Sequence, residues 1–315
     1  MKRIIICLII LLAAVPAEAR TVKLTLHPAK SPKPAQKYQL LPKADKKSDA
    51  DAAPLYEKAL QSLPDNLKME EVNQWLKTPP DKLPRKKVQS TLQLIEPALA
   101  LLAQAAKCRQ CNWPYMYDDE MLENLRKHRR LLFLLALKMR FQISMGRYDD
   151  AIGTAQAGFA MAKHLGKAQS LIRGMVGVGI AAHICRQIEQ FVQRPDAPVL
   201  YETLQDLPRP FIDLTEQAEF EGPDIREKVH LLMNRLDRHV AALKCIEAIR
   251  LYSAAQNGKF PSKLSDITQV PVPSDPVTHK AFTYTRTGEK AVLEMPALKG
   301  ATDKDTTRYE LSLKE

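Results

Sequence analysis

The amino-acid sequence predicts a mainly α-helical protein: a multi-helix array of αα-hairpins, TPR-like in part, with a small C-terminal antiparallel β module. Three observations support this fold class. Apolar residues recur at helical spacing over residues 51–256. After Gly258 the spacing changes to a period of two, which is typical of strands. Proline and glycine stand between the periodic segments, where they end one element and allow the next to begin.

Residues 1–19 have the pattern of a secretory signal peptide. Two basic residues precede an apolar run from Ile4 to Val15, and Ala17-Glu18-Ala19 is a small-x-small cleavage signal. The run is shorter than the ~20 residues that cross a membrane, so we expect its removal to leave no transmembrane segment. The mature chain is therefore expected to begin at Arg20 and to function in the periplasm or outside the cell.

Residues 20–50 are predicted to be a flexible basic linker. They contain eight basic and two acidic residues, which accounts for most of the formal net charge of +11. Lysine and proline are abundant, and such a composition buries too little apolar surface to offset the entropy of ordering the chain. The segment is interpreted either as a solvated spacer or as a weak tether to an anionic surface.

The helical domain is predicted over residues 51–256. Asp51 is a candidate N-cap for the first helix, and Pro97 is expected to kink or break a long helix within residues 86–107. The next long helix is expected over residues 118–145, because three acidic residues stand at its start, where the helix dipole favours negative charge.

Three further long helices are expected after Gly146, which ends the preceding one, and a short helix between proline-marked loops is expected before the last of them. The first, over residues 148–165, follows so closely that it must fold back as an antiparallel αα-hairpin. The second, over residues 168–192, is rich in glycine and alanine and is expected to be the most buried helix. The last covers residues 224–256, with Pro223 at its first position.

The stretch from Met145 to Ile152 resembles the turn and second-helix opening of a tetratricopeptide repeat. Gly146 supplies the tight turn, Tyr148 the aromatic residue and Ala151 the small residue for close packing. A solenoid needs further copies at a spacing near ~34 residues, and the sequence contains none. We therefore expect one TPR-like hairpin within a non-repetitive domain.

Residues 257–315 are predicted to form the β module. Phe282 and Tyr284 alternate with threonine, and Thr287-Gly288 provides a turn before a second alternating segment. The alternation returns at Tyr309. The sequence thus predicts a hairpin and a third strand that pairs with it.

Gly258, Phe260 and Pro261 are the predicted structural turn between the last long helix and this module. Gly258 can adopt the left-handed conformation that closes a helix, and Pro261 prevents helical continuation. Phe260 is the large apolar residue of the turn, so we expect it to be buried near Tyr252 and the strands.

Four cysteines follow the signal peptide, and Cys108 and Cys111 have the C-x-x-C spacing of a redox pair. Catalytic pairs stand at the start of a helix, where the dipole lowers the thiol pKa, whereas this pair follows the end of one. A structural disulfide or two buried thiols are the favoured interpretations. Zinc would need two further ligands, and neither a metal nor a cofactor is expected.

Catalytic signatures are missing from the sequence: it has no Gly-x-Ser-x-Gly, His-Glu-x-x-His, phosphate-binding loop or EF-hand loop. Asp118, Asp119 and Glu120 are the candidate acidic residues for a hydrolase or glycan-active enzyme. Such an enzyme would need a pocket that contains these carboxylates together with the titratable side chain of His128. The basic cluster at residues 127–130 has no interleaved aromatic residues, so nucleic-acid binding is not expected.

Four segments together resemble an uncharacterised family of exported helical proteins from planctomycete-type bacteria. The segments are Lys37-Tyr-Gln-Leu-Leu-Pro42, Ala52-Ala-Pro-Leu-Tyr56, Trp113 and the hairpin at Gly146. The resemblance spans most of the mature chain and implies an exported helical protein, but no activity.

A second resemblance covers about 60 residues at the C-terminal end. It is carried by Ile249-Arg-Leu-Tyr252, Gly258-Lys-Phe-Pro261, Leu264, Asp275-Pro276 and Phe282-Thr-Tyr284, which are similar to the C-terminal half of major pseudopilins of type II secretion. The chain lacks the long N-terminal pilin helix and the calcium-binding end of that family. The resemblance therefore implies a shared structural element rather than assembly into a pilus.

The leading functional hypothesis is an exported, non-enzymatic helical scaffold or interaction protein of the cell envelope, with another envelope protein as its partner. An envelope hydrolase or glycan-active enzyme that uses Asp and Glu residues is the first alternative. An accessory protein of a secretion apparatus is the second. A deep pocket that joins carboxylates to His128 would favour the enzyme, and a groove lined with apolar and aromatic side chains would favour binding.

Overall fold

The computed structural model describes residues 20–29, 38–114, 118–298, 300–301 and 305–314, and of residues 118, 119, 121 and 122 it describes the backbone only. The predicted signal peptide lies outside the described residues. The fold class is confirmed: the protein is mainly helical and carries a small antiparallel sheet at its C-terminal end. Among the described residues, no helix combines the length and the apolar character needed to span a membrane.

Four short helices form the N-terminal part of the helical domain. They are α1 (Ala53–Gln61), α2 (Met69–Lys77), α3 (Arg85–Leu94) and α4 (Glu96–Ala105). The predicted break near Pro97 is confirmed, because α3 ends at Leu94 and Pro97 lies in the first turn of α4. Proline is tolerated there, since the first N–H groups of a helix have no partner within it.

Long helices form the centre of the molecule, with two short ones beside them. These are α5 (Asp118–Ser144), α6 (Tyr148–Gly166), α7 (Leu171–Phe191), α8 (Tyr201–Gln205), α9 (Thr215–Glu219) and α10 (Pro223–Ala255). The expected tight turn between α5 and α6 is present, with Gly146 at φ +69°. Helix α7 is buried along most of its length, as its small residues predict.

Glycine allows α6 and α7 to approach each other closely. A Cβ on Gly177 would lie 2.6 Å from the carbonyl oxygen of Ala162, and a Cβ on Gly158 would lie 2.5 Å from Ile184. Either distance is too short for a real contact. These two positions thus explain why the sequence of α6 and α7 is rich in small residues.

The sheet has the strand order β1–β6–β5–β4. Its strands are β1 (Arg20–Leu26), β4 (Thr283–Thr287), β5 (Lys290–Met295) and β6 (Thr307–Leu313). The predicted hairpin and third strand are confirmed, because β4, β5 and β6 pair antiparallel. The fourth strand, β1, pairs parallel to β6.

The predicted flexible linker over residues 20–50 is therefore wrong for much of its length. Leu24 and Leu26 in β1 are buried. Leu40 is buried too, and the hydroxyl of Tyr38 donates to a carboxylate oxygen of Asp149 at 2.8 Å. The physical reason is that the alternating sequence of β1 finds a partner strand at the far end of the chain, and pairing outweighs the loss of chain entropy.

A second, two-stranded sheet replaces another part of the expected linker. Strand β2 (Ser48–Asp51) pairs in parallel with β3 (Cys108–Gln110). The linker prediction therefore fails here as well, because the backbone of this polar segment is hydrogen-bonded to the strand that follows α4.

The turn after α10 joins the sheet to the helices. Gly258 has φ +75°, and Phe260 is 2% exposed. The hydroxyl of Tyr284 donates to the carbonyl of Pro261 at 3.0 Å, and Arg286 donates to the carbonyl of Phe260 at 2.7 Å. These bonds attach strand β4 directly to the turn.

A buried polar network ties β1 and β6 to the helical core around Glu189 of α7. Its carboxylate accepts hydrogen bonds from Arg20 at 2.5 Å, from Nε2 of His239 at 2.8 Å and from the hydroxyl of Tyr309 at 3.0 Å. Burial opposes ionisation, but the hydrogen bond from His239 and the charge of Arg20 lower the pKa of Glu189 to about 2. Arg20, which is predicted to be the first residue of the mature chain, thus connects strand β1 to helix α7.

Candidate functional site

Two regions carry the groups that a functional site would use. We define the histidine cluster as Tyr56, Trp113, His128 and His164, which α1, the loop after β3, α5 and α6 bring together. We define the α2–α3 groove as the open depression between those two helices, which contains about 530 Å³. The two regions differ in their access to solvent.

The rings of the histidine cluster pack on one another. Tyr56 stacks on Trp113 with 5.6 Å between ring centroids, and His128 meets the Trp113 ring edge-on at 5.0 Å. The guanidinium of Arg173 also lies against this arrangement, 5.4 Å from the Trp113 ring centroid. Such contacts between aromatic rings and with a cation stabilise the packing of the helices that carry them.

Hydrogen bonds fix the protonation of His164. Its Nε2 lies 3.2 Å from the carbonyl oxygen of Cys108, which can only accept, so Nε2 carries the proton. Its Nδ1 is then the acceptor for the hydroxyl of Tyr56, 2.8 Å away. The indole of Trp113 donates to the carbonyl oxygen of His164 at 3.1 Å. Each of these polar groups therefore has an internal partner.

Burial keeps both imidazoles of the cluster neutral. It lowers the pKa of His164 to about 4, and it lowers the pKa of His128 as well. Nδ1 of His128 lies 2.8 Å from the carbonyl oxygen of Asn124, and Nε2 lies 3.9 Å from a carboxylate oxygen of Glu57. Neither imidazole has access to solvent, since His128 and His164 are both buried.

The cysteine pair lies beside this cluster. Cys108 is buried at the start of β3, Cys111 is half-buried just after it, and both are free thiols. Burial raises the pKa of the Cys111 thiol, and the neighbouring carboxylate of Asp51 adds to the shift. The environment of Cys111 thus favours the thiol over the reactive thiolate at neutral pH.

The acidic residues proposed for an enzyme stand at the start of α5. Glu120 is exposed, and the side chains of Asp118 and Asp119 lie outside the described part. Glu120 and His128 are about 12 Å apart along the helix axis, because a helix rises about 1.5 Å per residue. The structure therefore does not join Glu120 to His128 in one pocket.

The α2–α3 groove combines apolar surface with positive charge. It is lined by Asn66, Leu67, Lys68, Glu71, Trp75, Lys86, Lys87, Ser90, Thr91 and Leu94. Leu94 is 54% exposed, although it is a large apolar residue. Within the part of the chain that the structure describes, Lys68 pairs with Glu71 at 3.5 Å, whereas Lys86 and Lys87 form no ion pair.

A second hollow of about 410 Å³ lies next to the turn after α10. It is lined by His27, Pro28, Pro195, Asn257 and Gly258. Burial lowers the pKa of His27, and the nearby Lys314 and Arg250 add to the shift. A neutral imidazole among prolines offers few groups for recognition or catalysis.

Metal binding has no support in the described ranges. No three His, Cys, Asp or Glu side chains there are placed to hold a metal ion. Cys108 and Cys111 therefore gain no further ligand from the described residues around them.

Sequence reasoning missed both regions. The histidine cluster joins four segments that are far apart in the chain, and no local pattern marks them. The groove had a weak signal in α3, where Val88 and Leu92 form the buried stripe and Leu94 falls outside it. A single exposed apolar residue is ordinary on a protein surface, so Leu94 gains meaning only from the groove that it shares with Lys86 and Lys87.

A comparison with known proteins found no similar family model, curated sequence or solved structure. Both resemblances drawn from the sequence therefore stay predictions.

Proposed function

We propose that the protein is an exported, non-enzymatic scaffold or interaction protein of the cell envelope, and that its α2–α3 groove binds an acidic polypeptide segment. One observation carries this proposal: Lys86 and Lys87, without ionic partners among the described residues, flank a solvent-open groove that also presents Leu94. Export rests on the signal-like residues 1–19.

The chemistry of the groove selects an acidic partner with an apolar residue. Lys86 and Lys87 attract carboxylates and disfavour basic segments. Leu94, 54% exposed, provides the apolar surface on which an apolar or aromatic side chain loses contact with water. Trp75 also lines the groove, but it is only 7% exposed. The combination of an apolar centre and a charged rim is typical of protein–protein interfaces.

The histidine cluster supports a structural role rather than catalysis. A general acid or base must reach a substrate, and it works best when its pKa lies near the operating pH. His164 instead holds Tyr56 and the carbonyl of Cys108 in place, and its pKa of about 4 leaves it neutral at physiological pH. These observations favour the interaction protein over the hydrolase.

The binding proposal is tested with a fluorescein-labelled decapeptide in which glutamate alternates with phenylalanine, and with its lysine counterpart. Fluorescence anisotropy should show binding of the glutamate peptide, weakened by added salt because exposed charges are screened. The double variant Lys86→Glu with Lys87→Glu should weaken binding by more than roughly tenfold, since like charges then face each other.

The matched control is Lys280→Glu with Lys290→Glu, which changes the net charge equally on an exposed part of the C-terminal module. This variant should bind the glutamate peptide like wild type. Equal binding of the lysine peptide, or unchanged binding by the groove variant, would contradict the proposal. N-terminal sequencing of the exported protein tests export: Arg20 is expected, and recovery of Met1 would contradict it.

A further inference from the structure

An acidic surface on the same protein has the features that the groove selects. We define the acidic knob as residues 215–224, with the sequence TEQAEFEGPD. It contains Glu216, Glu219, Glu221 and Asp224 and no basic residue. At its centre, Phe220 is 91% exposed, the largest exposure among the large apolar residues that stand out on the described surface.

The knob is held in a defined conformation. A carboxylate oxygen of Asp213 accepts from both the backbone N–H and the hydroxyl of Thr215, at 3.0 and 2.6 Å, at the start of α9. Ala218 is fully buried beneath the knob, and its carbonyl accepts from the N–H of Glu221 at 3.1 Å. Phe220 therefore points into solvent from an ordered turn, so that binding it requires little additional ordering.

Phe220 gains from transfer out of water. Burying a phenylalanine side chain contributes a favourable free energy that is lost while the ring stays exposed. Leu94 of the groove is 54% exposed and offers an apolar surface for the phenylalanine ring, and the small exposed part of Trp75, 7% of that residue, adds an aromatic contact.

Charge on the two surfaces is complementary. The carboxylates of Glu216, Glu219 and Glu221 form no ion pair with any described residue. Lys86 and Lys87 of the groove are likewise unpaired there. The knob is thus negatively charged around the exposed Phe220, and the groove is positively charged near the exposed Leu94.

We propose that the α2–α3 groove of one molecule receives the acidic knob of a second copy of this chain, with Phe220 against Leu94 and Trp75 and with Glu219 and Glu221 facing Lys86 and Lys87. The inference rests on the proposed binding of acidic segments by the groove. Because knob and groove are different surfaces, the contact is either made twice in a reciprocal two-fold pair or repeated head to tail, which gives a closed ring or an open chain of molecules.

The test is sedimentation velocity of the mature full chain at roughly 100 μM in low and high salt. Wild type should associate, and high salt should shift it toward monomer. Phe220→Ala should weaken association by roughly tenfold or more, because a buried aromatic anchor commonly dominates an interface.

Charge reversal distinguishes this contact from any other self-association. Lys86→Glu with Lys87→Glu should be monomeric, and so should Glu219→Lys with Glu221→Lys, because knob and groove then carry the same sign in each variant. A mixture of the two variants should associate again, since the unaltered knob of the first matches the unaltered groove of the second, and the two reversed surfaces match each other. Circular dichroism should show all variants folded, because the substituted side chains lie on the surface.

Two outcomes would overturn the inference. One is a monomeric wild type in low salt at this concentration, and the other is association that Phe220→Ala and the charge reversals leave unchanged. If wild type is monomeric but still binds the glutamate peptide through Lys86 and Lys87, the proposed function stands and self-association fails. If wild type neither associates nor binds the glutamate peptide, both the proposed function and the proposed self-association fail.

Discussion

The histidine cluster and the α2–α3 groove use aromatic and titratable side chains in opposite ways. In the cluster, Tyr56, Trp113 and His164 are joined by hydrogen bonds and ring contacts. In the groove, Lys86, Lys87 and Leu94 face solvent, and the lysines have no ionic partner among the described residues. Such side chains therefore indicate a binding function only where solvent exposure leaves their bonding capacity available to a partner.

Position in the fold explains this difference. The cluster lies where α1, α5 and α6 meet, so that water is excluded and polar groups depend on internal partners. Tyr56, Trp113 and His164 have such partners, whereas Nε2 of His128 has no hydrogen-bond partner among the described residues. The groove lies between α2 and α3, which sit at the surface of that core. Disruption of the cluster should therefore affect stability, whereas disruption of the groove should affect binding alone.

The largest effect is expected from Tyr56→Ala. The side chain is fully buried, so its removal should lower the free energy of unfolding by roughly 3–5 kcal/mol. Tyr56→Phe, which removes only the hydroxyl bonded to His164, should cost about 1–3 kcal/mol. Urea denaturation measures both, and peptide binding by the folded fraction should stay unchanged. A stable Tyr56→Ala protein that no longer binds the glutamate peptide would show that the histidine cluster serves binding rather than stability.

An intermediate effect is expected from pH. The pKa of His164 is about 4 in the folded protein, against an unfolded value near 6.5, so the unfolded chain takes up the proton first. The contribution of His164 to stability should fall by on the order of 3 kcal/mol as the pH drops from about 6.5 to about 4. This contribution should level off below that range, where protonation of Glu189, whose pKa is about 2, continues to lower stability.

His164→Gln sharpens this test. The amide keeps hydrogen-bonding capacity but does not titrate, so the urea midpoint of this variant should depend less on pH than that of wild type. The exposed His279→Asn serves as a control and should keep the wild-type dependence. Equal pH dependence in wild type and His164→Gln would show that the imidazole is not buried as described.

The smallest effect on stability is expected in the groove. Leu94→Ala should change the free energy of unfolding by less than about 0.5 kcal/mol, because the side chain is already 54% exposed. The same substitution should nevertheless weaken binding of the glutamate peptide. The matched control is Leu92→Ala on the same helix, which removes a buried side chain and should cost about 2–5 kcal/mol. Equal losses of stability in the two variants, measured by urea denaturation, would contradict the open groove.

The helices could be predicted from the sequence because their periodicity is local. Gly146, Pro97 and Pro223 mark ends, breaks and starts that the structure places within a few residues of the prediction. Strand β1 was missed although Val22, Leu24 and Leu26 alternate, because the lysines and prolines after it dominate the composition. A parallel partner at the opposite end of the chain leaves no local signal.

The candidate sites were harder to predict for the same reason. Cys108 and Cys111 drew attention by their spacing, but their surroundings come from Asp51 and from His164 on a helix more than 50 residues later. Exposure decides the role of Leu94 and Phe220, and exposure depends on which helix faces are covered by the rest of the fold.

The parallel pairing of β1 with β6 also has a consequence for synthesis. Thr25 and Ser312 meet across 287 positions of the chain. At roughly 5–20 residues per second, a ribosome needs about 15–60 s between making the first strand and making its neighbour. During that time β1 lacks its partner strand, and Arg20 cannot reach its place beside Glu189 and Tyr309. The sheet can therefore close only after β6 has been synthesised, in whichever compartment β1 and β6 then share.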